Sequence, residues 1–227
     1  MRPVRRLGLL GGTFDPVHLG HLDAAGAARN ALALDEVWFV PSHAPPHRTT
    51  HPLASDLHRY ALVALAVDGH EAYRACDLEL GRKGPSYTQD TLRALQAQGW
   101  EPSQLFFILG ADAMAEIATW RGFPEVLDHA HFAVIARPGV TLDEAVARTP
   151  ALAPRVHGGR GGVPEGPGTR VILVEAATRE VSSTMIRARR AAHQSIDDLV
   201  PPPVARYIHT HDLYDAVGGL HGRTTPE

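Results

Sequence analysis

Short apolar runs alternate with stretches of helical period along almost the whole chain. The apolar runs cover Arg6–Leu10, Glu36–Val40, Tyr73–Leu78, Leu105–Leu109, His131–Ala136 and Arg170–Val174. They are continuous rather than alternating and are bounded by Gly, Pro or polar residues, the pattern of strands buried on both faces. Between them, helices are predicted over Leu19–Leu34, Asp56–Asp68, Tyr87–Gln98, Ala111–Thr119, Leu142–Arg148 and Ser183–His193, with a last one over Pro203–His209. This alternation predicts an α/β fold: a doubly wound parallel sheet with helices on both faces and a short C-terminal helical segment. In such sheets ligands bind beyond the carboxyl ends of the strands, near the point where the strand order reverses.

Two regions break the pattern. The stretch 148–170, "RTPALAPRVHGGRGGVPEGPGTR", is dense in Gly and Pro, has no period and is expected to be a flexible loop. A disordered tail is expected over 217–227. No repeat or linker divides the rest, so residues 1–216 are expected to form a single domain.

Composition narrows the classes. The chain has 227 residues, 44% of them hydrophobic and 21% charged, an ordinary globular mixture. A net charge of −3 gives no global attraction to nucleic acid or to anionic membrane, so any anion site must be local. The single cysteine, Cys76, cannot form an internal disulfide and suits a reducing, cytoplasmic setting. No apolar run approaches the ~20 residues of a membrane span. The basic start "MRPVRRLGLLGG" precedes an apolar run shorter than the ~7–15 residues of a secretory core.

The chemistry sits in two distant segments. The first strand ends in Gly11 and Gly12, which permit a sharp turn and a close approach of backbone. A helix follows, and its free N–H groups and dipole favour phosphate at its start. His18 and His21 are three residues apart, on one face of that first turn, where imidazoles can donate to phosphate oxygens. Far along the chain, Ser182, Ser183 and Thr184 precede another helical pattern and are good N-cap residues. Arg187, one turn on, can reach the same anion. Taken alone, this second segment is equally an ordinary capped helix with a basic face.

His18-Leu19-Gly20-His21 resembles the H-x-G-H signature of the nucleotidyltransferase superfamily, and "GGTFDPVHLGHL" as a whole resembles the bacterial nicotinate mononucleotide adenylyltransferases. Ser182-Ser183-Thr184-Met185-Ile186-Arg187 is similar to that superfamily's S-S-T-x-x-R motif. The resemblance implies a Rossmann-like fold and a cradle for the triphosphate of ATP. Its residues would be Gly11, Gly12, Thr13, Phe14, His18, His21, Ser182, Ser183, Thr184 and Arg187, with His18, His21 and Arg187 acting in catalysis. It adds Gly110 for close approach of the nucleotide, Asp112 for its ribose and Arg137 near adenine. In "PSHAPPHR", Ser42, His47 and Arg48 would face the phosphate of the acceptor mononucleotide; Ser42 stands where the family often carries Asn. Ser86, Tyr87 and Thr88 would lie against the nicotinate ring, with Trp120 stacked on it and the Arg121 N–H near its carboxylate. The implied reaction joins nicotinate mononucleotide to ATP, giving nicotinate adenine dinucleotide and pyrophosphate. Mg²⁺ would come with the ATP phosphates and need no protein cage.

Other readings stay open on sequence alone. A sister adenylyltransferase could act on phosphopantetheine or on nicotinamide mononucleotide. "PSYT" and "TW" speak against the first, while the second differs from the acid by one polar atom. A nucleotide-sensing or RNA-binding module could keep the fold without turnover; release of pyrophosphate separates it from an enzyme. The 14 histidines include His129/His131 and His209/His211, but no Cys or carboxylate cluster completes a tetrahedral metal set, and most are expected at the surface. The oligomeric state is left open.

Overall fold

The computed structural model describes residues 5–45, 51–137, 141–157 and 168–215. Its strands are β1 (Leu7–Gly12), β2 (Glu36–Pro41), β3 (Tyr73–Ala75), β4 (Leu105–Gly110), β5 (His131–Ala136), β6 (Val156–His157) and β7 (Val171–Glu175). They form one seven-stranded sheet in the order β3-β2-β1-β4-β5-β7-β6, and all of its pairings are parallel. The chain moves outward from β1 through β2 to β3, then returns to place β4 on the other side of β1. The order therefore reverses between β1 and β4, whose carboxyl ends are Gly11-Gly12 and Gly110. This is the crevice where a doubly wound sheet binds ligands.

The strands are apolar throughout because both faces are covered. In β4, Phe106 and Ile108 enter one core layer, while Leu105, Phe107 and Leu109 enter the other, the period of two that a pleated strand imposes. The first layer receives α1 (Leu19–Leu32), α2 (Asp56–Val67), α6 (Ser183–Ala191) and α7 (Pro202–Thr210), through residues such as Ala28, Leu62, Ile186 and Ile208. The second receives α3 (Thr88–Ala97), α4 (Ala111–Ala115) and α5 (Asp143–Arg148), through Leu92, Leu95, Met114 and Ala145.

Some expected boundaries moved. β3 stops at Ala75 instead of Leu78, because this edge strand pairs only with β2 and Asp77 begins a turn closed by Leu80. The single helix expected over Ala111–Thr119 is α4 followed by a 3-10 turn, Ile117–Thr119. The stretch 148–170, expected as loop, opens with a 3-10 helix, Pro150–Arg155, and with β6, which pairs with β7. Its residues 158–167, and the expected tail at 217–227, lie outside the described residues. His131 is buried rather than at the surface: its ring stacks on Phe106 at 4.7 Å and its Nδ1 accepts the Arg170 N–H at 3.0 Å. No described helix is long and apolar enough to cross a membrane.

Candidate active site

The turn after β1 is built by packing as much as by glycine freedom. A Cβ on Gly11 would come within 3.1 Å of the Phe107 ring, and one on Gly12 within 3.1 Å of the Phe14 ring. Phe14, at φ 49°, turns its side chain into the core against Phe39 and edge-on to His21 at 4.9 Å. The Phe14 ring thus props the histidine from the core side. Across the switch point, no described residue lies within 4 Å of where a Cβ on Gly110 would be, so this strand end is open among the described residues. Thr13 is held by its carbonyl, which accepts from Arg59 at 2.6 Å. Arg59 is fully buried on the apolar face of α2 and pairs with Asp56, which also binds His43.

His18 is the N-cap of α1, and its backbone N–H donates to His21 Nδ1 at 3.2 Å. The two rings stack at 3.6 Å, 25° apart. An Nδ1 that accepts leaves the ring proton of His21 on Nε2, where it can be donated to a ligand. Gly20 lies under this pair: a Cβ there would meet His18 Nδ1 at 3.2 Å and the Arg179 carbonyl at 3.3 Å. The glycine of H-x-G-H is thus the residue that lets the first imidazole fold back over its helix. Burial lowers the His18 pKa to about 4 against a smaller raising effect of Asp23, and burial followed by His18 holds His21 well below its usual value. Both rings are therefore neutral at pH 7 in the free protein.

The second segment closes onto this turn. Ser183 Oγ donates to the Pro16 carbonyl at 2.8 Å, and Arg187 donates to the Asp15 carbonyl at 2.7 Å. Arg187 also donates to Thr184 Oγ1 at 3.2 Å and lies 3.9 Å from the Asp15 carboxylate. The Ser182 hydroxyl caps its own helix by accepting the Met185 N–H at 3.1 Å. The serine hydroxyls thus hold the two segments together and cap α6. Arg137 directly follows β5 and pairs with Glu180 at 2.9 Å, just before this segment. Asp112 is exposed on the first turn of α4, beside Gly110.

The remaining expected residues lie around the ends of β2 and α3. Ser42 is buried and its N–H donates to the Gly12 carbonyl at 2.9 Å, which ties the end of β2 to the β1 turn. His47 and Arg48 lie outside the described residues. Ser86 is spent on structure: its Oγ accepts the His43 N–H at 2.9 Å and its N–H donates to the Ala44 carbonyl at 2.8 Å. Its hydroxyl and that of Thr91 also hydrogen-bond Glu79, whose pKa burial nonetheless raises. Tyr87 caps α3 and carries the Arg121 guanidinium over its ring at 4.5 Å, while Thr88 opens the helix. Trp120 is half-buried and stands edge-on to Phe107 at 5.9 Å, one ring away from Gly11. Among the described residues, no three His, Cys, Asp or Glu side chains are grouped to hold a metal ion.

Three contributors escaped the sequence reading. Asp15 was legible only as half of an Asp-Pro turn, yet its buried carboxylate accepts from Leu53, Ala54 and Tyr214. Arg59 left a usable signal, a charged residue in register with Leu62, Val63 and Ala66 on a core-facing stripe. Glu79 gave none.

The cytidylyltransferase-like family model matches residues 9–189. A probable nicotinate-nucleotide adenylyltransferase of Symbiobacterium thermophilum is 41% identical, over 96% of this chain and 98% of that protein. Its counterpart in Pseudomonas fluorescens is 42% identical, over 93% and 98%. The solved structure of Plasmodium falciparum nicotinic acid mononucleotide adenylyltransferase complexed with APC superposes with a TM-score of 0.67 at 18% identity, covering 92% of this chain and 97% of that one; the likeness is one of fold. The chain belongs to the cytidylyltransferase-like family and, within it, to the nicotinate-nucleotide adenylyltransferases.

Proposed function

We infer that this chain transfers the adenylyl group of ATP to nicotinate mononucleotide, giving nicotinate adenine dinucleotide and pyrophosphate. The observation that carries the reading is the convergence of two segments about 170 residues apart: Ser183 bonds Pro16 and Arg187 bonds Asp15, which places the arginine beside the histidine turn. The whole-length similarity to nicotinate-nucleotide adenylyltransferases supports the choice of acceptor.

An oxygen of the acceptor phosphate attacks the α-phosphorus of ATP in line. That P–O bond forms as the bond to the β-phosphate bridge breaks and pyrophosphate leaves. A phosphate monoester with a second pKa near ~6 is already largely ionised at neutral pH, so the protein need supply no general base. Its task is to position anions and to stabilise charge that grows on the leaving group. His21, neutral and with its proton on Nε2, serves as a donor without a bare buried charge when the site is empty. Arg187 supplies the fixed positive charge. His18 and Thr13 line the same turn and hold the phosphates with them. Mg²⁺ carried by the ATP phosphates would offset part of their charge, with Arg187, His18 and His21 meeting the rest. Ser42, His47, Arg48 and Thr88 are assigned to the acceptor, with Trp120 and the Arg121 N–H at its ring; Asp112 and Arg137 are assigned to the nucleoside of ATP.

The test is product identification by mass spectrometry after incubation with ATP, Mg²⁺ and each mononucleotide in turn. Nicotinate adenine dinucleotide and pyrophosphate are expected. No pyrophosphate with the nicotinate acceptor, or turnover of phosphopantetheine in its place, contradicts the reading.

A further inference from the structure

Tyr214 lies in the short segment after α7, beyond residues 9–189 of the family match, at the end of the stretch "LVPPPVARYIHTHDLY". Its hydroxyl nevertheless donates to Asp15 Oδ1 at 2.9 Å. Asp15 is 2% exposed and acts as a junction. Oδ1 also accepts the Ala54 N–H at 3.0 Å, and Oδ2 accepts the Leu53 N–H at 2.9 Å. The same residue's carbonyl takes the 2.7 Å hydrogen bond from Arg187, and His18 follows three positions later. Tyr214 is itself held firmly. Arg190 of α6 pairs with Asp215 at 2.7 Å, contacts His209 Nδ1 at 3.0 Å and donates to the Leu213 carbonyl at 3.4 Å. Burial and the Asp15 carboxylate push the phenol pKa up, so the hydroxyl stays a donor at neutral pH.

We propose that Tyr214 is a positioning residue for adenylyl transfer: through Asp15 it fixes the histidine turn and Arg187 relative to each other, so that the phosphate cradle is set from the C-terminal segment. The inference rests on the functional reading above. Tyr214 acts through Asp15, not on the phosphates. The physical reason is the geometry of that carboxylate. With the hydroxyl gone, Oδ1 keeps the Ala54 donor, and the turn that carries both Arg187's acceptor and His18 loses its tie to the segment after α7, while Ser183 and Arg187 still hold it to α6. A displacement of about 1 Å in a positioned group can cost roughly 10²-fold in rate.

Tyr214→Phe removes the hydroxyl and keeps the ring. Steady-state kinetics with ATP, Mg²⁺ and nicotinate mononucleotide should show kcat lower by at least about fivefold, with KM for the mononucleotide within about twofold. Asp15→Ala should lower kcat too, and adding Tyr214→Phe to it should change kcat by less than about twofold, since the acceptor of the hydroxyl is already gone. A lower melting temperature with unchanged kcat per folded molecule would reduce Tyr214 to a structural tie and overturn the proposal. So would independent, multiplying effects of the two substitutions. If the unaltered chain forms no dinucleotide, the functional reading itself fails and the proposal falls with it.

Discussion

His18 and His21 enter the site as neutral rings, and this fixes how they can act. Burial brings His18 to about 4 and holds His21 well below its usual value, so neither carries a permanent charge for the triphosphate. The hydrogen bond from the His18 backbone to His21 Nδ1 selects the tautomer that donates from Nε2. Removing that donor in His21→Ala should lower kcat by at least tenfold, and up to the roughly 10²–10³ that one lost charge-stabilising donor can cost, with circular dichroism unchanged. An NMR titration should give a His18 midpoint near 4 in the free protein, moving upward when ATP is bound, because an adjacent anion favours the imidazolium. A free-protein midpoint near ~6.5 would contradict the buried, neutral pair. The sign for stability follows. As pH falls from the unfolded value of ~6.5 towards 4, the unfolded chain takes up a proton that native His18 does not. His131, lowered to about 4 chiefly by burial, behaves the same way. Together they remove stability through that window and contribute none of this loss above it.

At the scale of elements, the start of α1 is where propensity and geometry oppose each other. Alanine favours a helix over glycine by about 1 kcal/mol, so Gly20→Ala ought to stabilise an isolated helix. Here its Cβ would lie 3.2 Å from His18 Nδ1 and 3.3 Å from the Arg179 carbonyl. The substitution should therefore displace the first imidazole and lower kcat at least about tenfold in a pyrophosphate-release assay, without the stability gain propensity suggests. Arg59→Met should lower the unfolding free energy by about 2 kcal/mol or more in urea, since it leaves the Thr13 carbonyl without its donor and Asp56 with His43 alone. The same scale shows what the sequence makes legible. β5 and the starts of α1, α2, α4 and α6 follow from apolar runs and caps because local pattern determines them. β6 does not, being two residues in a Gly/Pro-rich stretch whose pairing with β7 is entirely non-local. In the site, His18, His21 and Arg187 are readable from motif spacing. That the Phe14 ring turns inward, and that Ser183 bonds Pro16, depends on tertiary contacts no local signal encodes.

For the molecule as a whole, the sheet order does the assembling. Placing β4 next to β1 brings Gly110 beside Gly11-Gly12, and the return of the chain through β7 delivers α6 to the same end. The side proposed for the acceptor is linked to the β1 turn by aromatic packing: Trp120 stands edge-on to Phe107, which lies under Gly11. Trp120→Ala should accordingly weaken nicotinate mononucleotide much more than ATP in calorimetry; equal losses would count against a ring-stacking role. The account stands on the late arginine and the early histidine turn serving one polyanion. The rate of adenylyl transfer by Arg187→Met, measured in a single turnover at saturating ATP and mononucleotide, tests this most directly. A loss of about 10²-fold or more in a folded variant is predicted, and a rate close to that of the unaltered chain would contradict it.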